Sequence, residues 1–168
     1  MMASVQERLA ALEAQVAGLV ERLGGADRPT PPPEGVFWAL DGLKQRLPAD
    51  NAGAVLYTGT VRLGGQHYDW QYGRGVEDLL ADDWADLPAV LSALAHPVRL
   101  RLLREILGGR QGTAELAGIE DLGTTGQLHH HLRQLTAAGW LRSAGRGRYA
   151  VPAERVVPLL AILTAAGR

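Results

Sequence analysis

The chain has 168 residues, of which 46% are apolar and 21% charged, and its formal net charge is −1. It contains no cysteine, which excludes disulfides, thiolate metal sites and cysteine nucleophiles. No apolar run approaches the roughly 20 residues that a spanning helix needs, and the charges in the first helical pattern exclude a signal-peptide core. We therefore expect a cytoplasmic protein of one or two small domains that does not contact the membrane.

The first 35 residues combine a heptad pattern with a proline-rich segment. Apolar side chains recur at alternating spacings of four and three, at Val5, Leu9, Leu12, Val16, Leu19 and Leu23. This pattern predicts a coiled-coil helix over residues 1–25 that associates with a second copy; the alternative is an amphipathic helix packed on its own domain. Residues 26–35 contain the run PTPPPE and are predicted to be an extended linker.

Residues 36–86 are predicted to contain a short helix followed by a β-hairpin. Two strand-like runs, 54–63 and 66–74, flank the turn glycines Gly64 and Gly65. Alternation places aromatic side chains on one face of this hairpin, with Val61 beside them. The candidate effector-binding residues on that face are Tyr57, Tyr68, Trp70 and Tyr72. The simpler interpretation is that the face packs on the following helix or on a partner subunit.

Residues 87–168 follow the order helix, helix, short helix, turn, long helix, ribbon, helix. Pro97 is expected in the first turn of the second helix. The predicted core of the first two helices is Leu91, Leu94, Leu100, Leu103, Ile106 and Leu107. The net charge of residues 96–150 is +4, from eight arginines and four carboxylates. This charge permits contact with phosphates, although an arginine bias also follows from genomic base composition.

The long helix carries the clearest functional pattern. The run TTGQ, residues 124–127, predicts a capping box at its start. Its buried stripe is predicted to be Leu128, Leu132 and Leu135, and its opposite, polar stripe is Thr125, His129 and Arg133, flanked by Gln127 and His130. A second helix that presents polar side chains after a tight turn suits the major groove of DNA. The ribbon that follows places Arg146 and Arg148 where they would meet phosphates or the minor groove.

Four segments resemble the ArsR-type winged-helix transcriptional regulators. They are ALAHPVRLRLLREIL (93–107), TAELAGI (113–119), TTGQLHHHLRQLTAAGWL (124–141) and GRGRYAV (145–151). The resemblance covers residues 87–166, with a turn before Thr124 about one residue longer than the commonest pattern. It implies a homodimer that binds a palindromic operator and represses transcription until an effector releases it. It also implies that the polar positions of the long helix face DNA.

The sequence departs from this family in the residues that sense metals. Cysteine is absent, and Glu154 is the only acid after Val151. The histidines at positions 129–131 do not replace those ligands, because adjacent helical residues point about 100° apart. We therefore predict no metal and no cofactor, with His131 partly packed and His129 and His130 facing DNA.

The last helix, residues 152–166, is apolar nearly all round and needs burial on more than one side. We expect it to pack against its symmetry mate, with the N-terminal helix as a second dimer contact; the alternative is burial within the monomer. The predicted fold class is mainly α with a small β component: a winged helix-turn-helix domain, preceded by a coiled-coil-like helix and a hairpin module.

The leading hypothesis is a sequence-specific regulator that binds double-stranded DNA. Its candidate DNA-binding residues are Thr113, Thr124, Thr125, Gln127, His129, His130, Arg133, Arg146 and Arg148. The alternative is a protein-interaction module that uses a winged-helix scaffold without binding DNA. We do not expect an enzyme, because no serine lies in a nucleophile elbow and no glycine-rich phosphate loop is present.

Overall fold

The structure is a computed structural model that describes residues 37–120 and 122–167. The predicted coiled-coil helix and the proline-rich linker lie outside the described residues, so both remain predictions. The chain divides into two compact units, residues 1–45 and 46–168. The described residues combine helices with two antiparallel two-stranded sheets, which is a mixed α and β composition.

The helices and strands follow the predicted order. The helices are α1 (Trp38–Arg46), α2 (Val76–Ala81), α3 (Leu87–Ser92), α4 (Pro97–Leu107), α5 (Thr113–Ala117), α6 (Thr125–Ala137) and α7 (Ala153–Ala166), with a 3-10 turn at Trp84–Asp86. The strands are β1 (Ala54–Leu63), β2 (Gln66–Gly75), β3 (Arg142–Ser143) and β4 (Tyr149–Ala150). Within residues 37–120 and 122–167, no helix has the length and apolar character needed to cross a membrane.

Strands β1 and β2 form the predicted hairpin, with Ala54 paired to Gly75 at one end and Leu63 paired to Gln66 at the other. Gly64 and Gly65 make the turn with φ angles of +56° and +76°. Positive φ at both turn positions matches the twist of the strands and is accessible to glycine without strain. The two glycines therefore fix the turn from which the pairing register follows.

The hairpin packs on α7 rather than on the helix that follows it. Gly59 lies directly against α7, since a Cβ atom added there would lie 2.8 Å from Cγ1 of Val157. The hairpin residues Val61, Leu63 and Tyr68 pack against the buried core. The aromatic face of the hairpin thus packs on α7 and not, as predicted, on the following helix α2, none of whose residues is buried. Packing of this face on a partner subunit stays a prediction.

The core of the second unit is built around leucines of α4, α5 and α6, together with residues of α7 and of the connecting segments. In α4, Leu103 and Ile106 are buried as predicted, and Leu102 is also fully buried. Leu91 was predicted in the core, but it is 50% exposed because it lies on the solvent side of the six-residue helix α3. Leu100 and Leu107 are half-buried at the edge of the core.

Helix α7 obtains much of its burial within one chain. Val156, Val157 and Leu159 are at most 3% exposed. The alternative of burial within the monomer accounts for these three residues, which lie against the hairpin and the core. Farther along the helix, Ile162 and Leu163 are exposed.

Trp140 joins three parts of the core. Its ring is 1% exposed, and its indole Nε1 donates a hydrogen bond to the carbonyl oxygen of Val90 at 2.9 Å. The guanidinium of Arg155 lies 5.1 Å from the ring centroid, within the range of a cation–π interaction. Trp140 therefore holds α3 and α7 to the end of α6.

Candidate nucleic-acid interface

Helix α6 has the two faces that the sequence predicts. Leu128, Leu132 and Leu135 are at most 1% exposed, so one stripe of the helix is completely buried. The polar side chains on the other faces are solvent-exposed; they are Thr125, Gln127, His129, His130 and Arg133. The leucine stripe fixes the rotation of α6, and this rotation presents the polar stripe outward.

The first turn of α6 is closed by a reciprocal pair of hydrogen bonds. The backbone N–H of Gln127 donates to Oγ1 of Thr124 at 3.3 Å, and the backbone N–H of Thr124 donates to Oε1 of Gln127 at 2.7 Å. This is the predicted capping box. In both hydrogen bonds the side-chain oxygen is the acceptor. The Thr124 hydroxyl proton and the Gln127 amide NH₂ therefore remain able to donate to a ligand.

Gly123 allows the turn between α5 and α6. Its φ angle is +82°, and a Cβ atom there would lie 2.3 Å from Oε1 of Gln127. A side chain at this position would therefore displace the Gln127 side chain from the capping box. Leu122, just before it, is buried and ties the turn to the core.

His131 is half-buried and stacks on a histidine from another helix. Its ring centroid lies 4.6 Å from that of His96 and 5.6 Å from that of His130. Its Nδ1 atom is buried without a hydrogen-bond partner in the part of the chain that the structure describes. Burial lowers the pKa of His131, and the nearby charges of His96, Arg99 and His130 lower it further. The neutral imidazole is therefore favoured.

The histidine rings at the start of α4 and on α6 contact one another directly. No group of three or more His, Cys, Asp or Glu side chains among the described residues is arranged to hold a metal ion. The rings of His96 and His131 contact each other in a tilted arrangement, with an interplanar angle of 45°. The packed position of His131 agrees with its prediction from the helix pattern.

The ribbon formed by β3 and β4 is attached to the start of α5. The Thr113 hydroxyl and backbone N–H both donate to the carbonyl oxygen of Gly147, at 3.2 Å and 2.8 Å. Thr113 was predicted to contact DNA, but its hydroxyl proton is donated to the ribbon. Arg146, at the tip, is exposed. Arg148 is also exposed, and its guanidinium donates to Oε1 of Gln111 at 3.2 Å.

Arg99 and Gln111, which hold elements of the candidate interface together, were not identified from the sequence. Arg99 of α4 donates to the carbonyl oxygens of Ala93 and Ser92 and to Oε1 of Gln134 on α6, at 2.6–2.7 Å. Gln111 accepts from Arg148 and, through its own carbonyl oxygen, from the backbone N–H of Tyr149. These contacts join segments that are 35 and 37 residues apart, so no local pattern indicates them.

The candidate effector-binding aromatics are distributed between packing and surface positions. The rings of Tyr57 and Tyr72 lie 5.9 Å apart across the hairpin, and Tyr72 is 49% exposed. Tyr68 packs against the core. Trp70 is half-buried, and its indole Nε1 is buried with no partner among the described residues. The aromatics share the hairpin face predicted for them, and Tyr68 contributes to packing.

No protein-family model matches this chain, and a comparison with curated proteins finds no similar sequence.

Proposed function

We propose that this chain is a sequence-specific DNA-binding transcriptional regulator with a winged helix-turn-helix domain. In this proposal α5 and α6 are the helix-turn-helix, α6 is the recognition helix, and the β3–β4 ribbon is the wing. The observation that carries the proposal is the surface of α6, where the polar stripe from Thr125 to Arg133 is exposed while the leucine stripe on the opposite side is buried in the core. A rigid helix with donors in its N-terminal half can bind base edges in a major groove.

The distribution of charge supports the same proposal. Arg133 on α6 and Arg146 at the ribbon tip are exposed, and residues 96–150 carry a net charge of +4. Arginine side chains at a ribbon tip can bind phosphates, which supplies affinity without sequence preference. We assign base contacts to the exposed α6 residues and backbone contacts to Arg146 and Arg148. Thr113 supports the ribbon through Gly147 in this assignment.

We propose that the regulator acts as a homodimer on a palindromic operator and represses transcription, as the resemblance to ArsR-type regulators implies. The heptad pattern of residues 4–24 supports self-association. In α7, Ile162 is 36% exposed and offers apolar surface for a second contact. Paired recognition helices would then bind half-sites about one helical turn apart.

The second candidate is a protein-interaction module, and a different surface favours it. Four large apolar side chains around α2 and α3 are 46–68% exposed: Leu80, Trp84, Leu87 and Leu91. Exposed apolar groups that are close in sequence suit a protein partner. These four side chains belong to neither α6 nor the β3–β4 ribbon.

Fluorescence anisotropy with the full chain tests the leading proposal. The labelled duplex is the DNA upstream of the chain's own coding sequence, compared with a scrambled duplex across about 50 to 200 mM salt. The variants are Arg133→Ala and Arg146→Ala, and the matched control is Arg62→Ala. Arg62 is an exposed arginine on the hairpin face that points away from the aromatic side chains.

We expect the chain to prefer its upstream DNA with a steep salt dependence. Arg133→Ala should reduce the binding free energy for the upstream duplex by about 1–3 kcal/mol and reduce the preference over the scrambled duplex, as expected for the loss of a base contact. Arg146→Ala should weaken binding to both duplexes and reduce the salt slope by about 1. Absence of binding at low salt, or equal losses in all three variants, would contradict the proposal and favour the protein-interaction module.

A further inference from the structure

A groove of about 880 Å³ lies between the hairpin, α4 and α7, away from the proposed DNA-binding stripe of α6. Its walls are largely aliphatic and come from all three elements. The aliphatic lining includes Val61, Leu63, Leu100, Leu107, Leu160 and Leu163. Cavities of about 300–1,000 Å³ with apolar walls and a few polar groups are typical of small-molecule sites.

The charged residues of this groove are mostly cationic. Arg101, Arg104 and Arg110 line it together with a single acid, Glu105. Arg110 is engaged, since its guanidinium lies 3.3 Å from the Glu105 carboxylate. Arg104 is exposed, and its side chain makes no hydrogen bond or ion pair within the part of the chain that the structure describes. The groove therefore joins an aliphatic surface to an arginine that can bind an anion.

We propose that this groove binds a single-chain amphiphile with an anionic head group, such as a long-chain carboxylate. The aliphatic tail would lie along the walls formed by β1, α4 and α7. The carboxylate would accept hydrogen bonds from Arg104, because a guanidinium presents paired donors that match a carboxylate. A cationic head group would instead be repelled by the guanidinium of Arg104.

A second copy of the chain is a poorer occupant of the same groove. If two copies met at this groove around a twofold axis, the Arg104 guanidinium of one copy would approach that of the other. Like charges brought together in this way oppose association. An anionic head group neutralises the charge of Arg104, whereas a symmetric contact between copies brings two such charges together.

The site is independent of DNA binding, and the two proposals can fail separately. The lining residues belong to β1, α4 and α7, together with the short segment that follows α4. None of the candidate DNA-binding residues is among those that line the groove. Ligand binding is therefore measured on the full chain without DNA.

Isothermal titration calorimetry with dodecanoate tests the proposal, and dodecyltrimethylammonium serves as the probe with the same chain length and the opposite head charge. We expect one dodecanoate per chain and an affinity at least about tenfold above that of the cation. Arg104→Gln should weaken dodecanoate binding by about tenfold, as expected for the loss of one charge-assisted contact. Arg62→Gln, which removes an exposed arginine outside the groove, should change the affinity less than about twofold.

Leu163→Asn tests the tail site separately. This residue is 38% exposed, so the substitution leaves the buried core intact, and circular dichroism verifies the fold. We expect weaker binding of dodecanoate, because the tail loses apolar contact. The proposal is overturned if dodecanoate does not bind, if both probes bind equally, or if Arg104→Gln and Arg62→Gln behave alike. Absence of binding together with dissociation of a dimer by Leu163→Asn would instead assign the groove to contact between copies.

Discussion

His131 shows how a single side chain in the proposed recognition helix depends on a neighbouring element. The α6 pattern placed it next to the leucine stripe, and the structure shows it half-buried. Its stacking on His96 could not be predicted, because His96 lies 35 positions earlier and caps α4 by accepting a hydrogen bond from the backbone N–H of Val98. The contact therefore links the start of α4 to α6.

The lowered pKa of His131 makes folding depend on pH. Burial disfavours the imidazolium in the folded state, whereas the unfolded chain takes up a proton near about pH 6.5. The unfolded state thus binds more protons between the lowered pKa and that value, so stability rises with pH in this window. The contribution of His131 is complete above it and is lost as the pH falls through the lowered pKa.

We expect His131→Leu to reduce this pH dependence. The free energy of unfolding, measured by urea denaturation at several pH values from about 5 to 7.5, should vary less in the variant than in the original chain. His129→Leu is the matched control, since it removes an exposed imidazole from the same helix. The explanation is wrong if the two variants show the same pH dependence.

At the scale of elements, the beginning of α6 illustrates what local chemistry determines. The threonine and glutamine of TTGQ are three residues apart, and that spacing is sufficient for both side chains to reach the opposite backbone N–H. The capping box therefore places the first turn, and with it the residues that are assigned to base contacts.

Thr124→Ala should lower the free energy of unfolding by about 1 kcal/mol, because the N-cap acceptor is lost. Thr125→Ala is the control, since this neighbouring threonine is exposed and does not cap the helix. Its effect on stability should stay within about 0.5 kcal/mol. The free energies of unfolding of both variants are measured by urea denaturation. Equal destabilisation would show that the hydroxyl of Thr124 does not stabilise the helix start.

The elements that were predicted correctly share local signals. The Gly64–Gly65 turn determined the register of the hairpin, and the leucine spacing determined the buried face of α6. Leu91 was placed wrongly because the periodicity of a short helix does not show whether another element covers it. Arg99 was missed because its acceptors belong to three separate positions, which only the tertiary structure brings together.

At the scale of the whole second unit, the hairpin is part of the helical core. Val61, Leu63 and Tyr68 pack against the same buried cluster that contains the α6 leucines and Leu159. This arrangement follows from a residue that carries no side chain, since Gly59 lets the hairpin approach Val157. A glycine within a strand indicates close approach by another element, but it does not identify that element.

A shared core predicts that the hairpin and the helices unfold together. Gly59→Ala would place a Cβ atom 2.8 Å from Val157 Cγ1, so the hairpin or α7 must shift. We expect a loss of about 1–3 kcal/mol in the free energy of unfolding, as for other overpacked cores. Hydrogen exchange should then accelerate in α4 and α7 as well as in the hairpin, because one cooperative unit has lost stability. Gln71→Ala, on the exposed hairpin face, is the control.

The double variant Gly59→Ala with Val157→Ala isolates the contact itself. Val157→Ala removes the two methyl groups that the new Cβ atom would meet, so Gly59→Ala should cost less in that background, by at least about 0.5 kcal/mol. If the two substitutions change the free energy of unfolding additively, the strain caused by Gly59→Ala arises elsewhere.

The hydrogen-exchange result for Gly59→Ala has two outcomes. Faster exchange confined to the hairpin would mean that the hairpin is an independent folding unit, and the groove between β1, α4 and α7 would then open without unfolding the helices. Uniform acceleration would show that the groove walls persist only while the whole unit is folded.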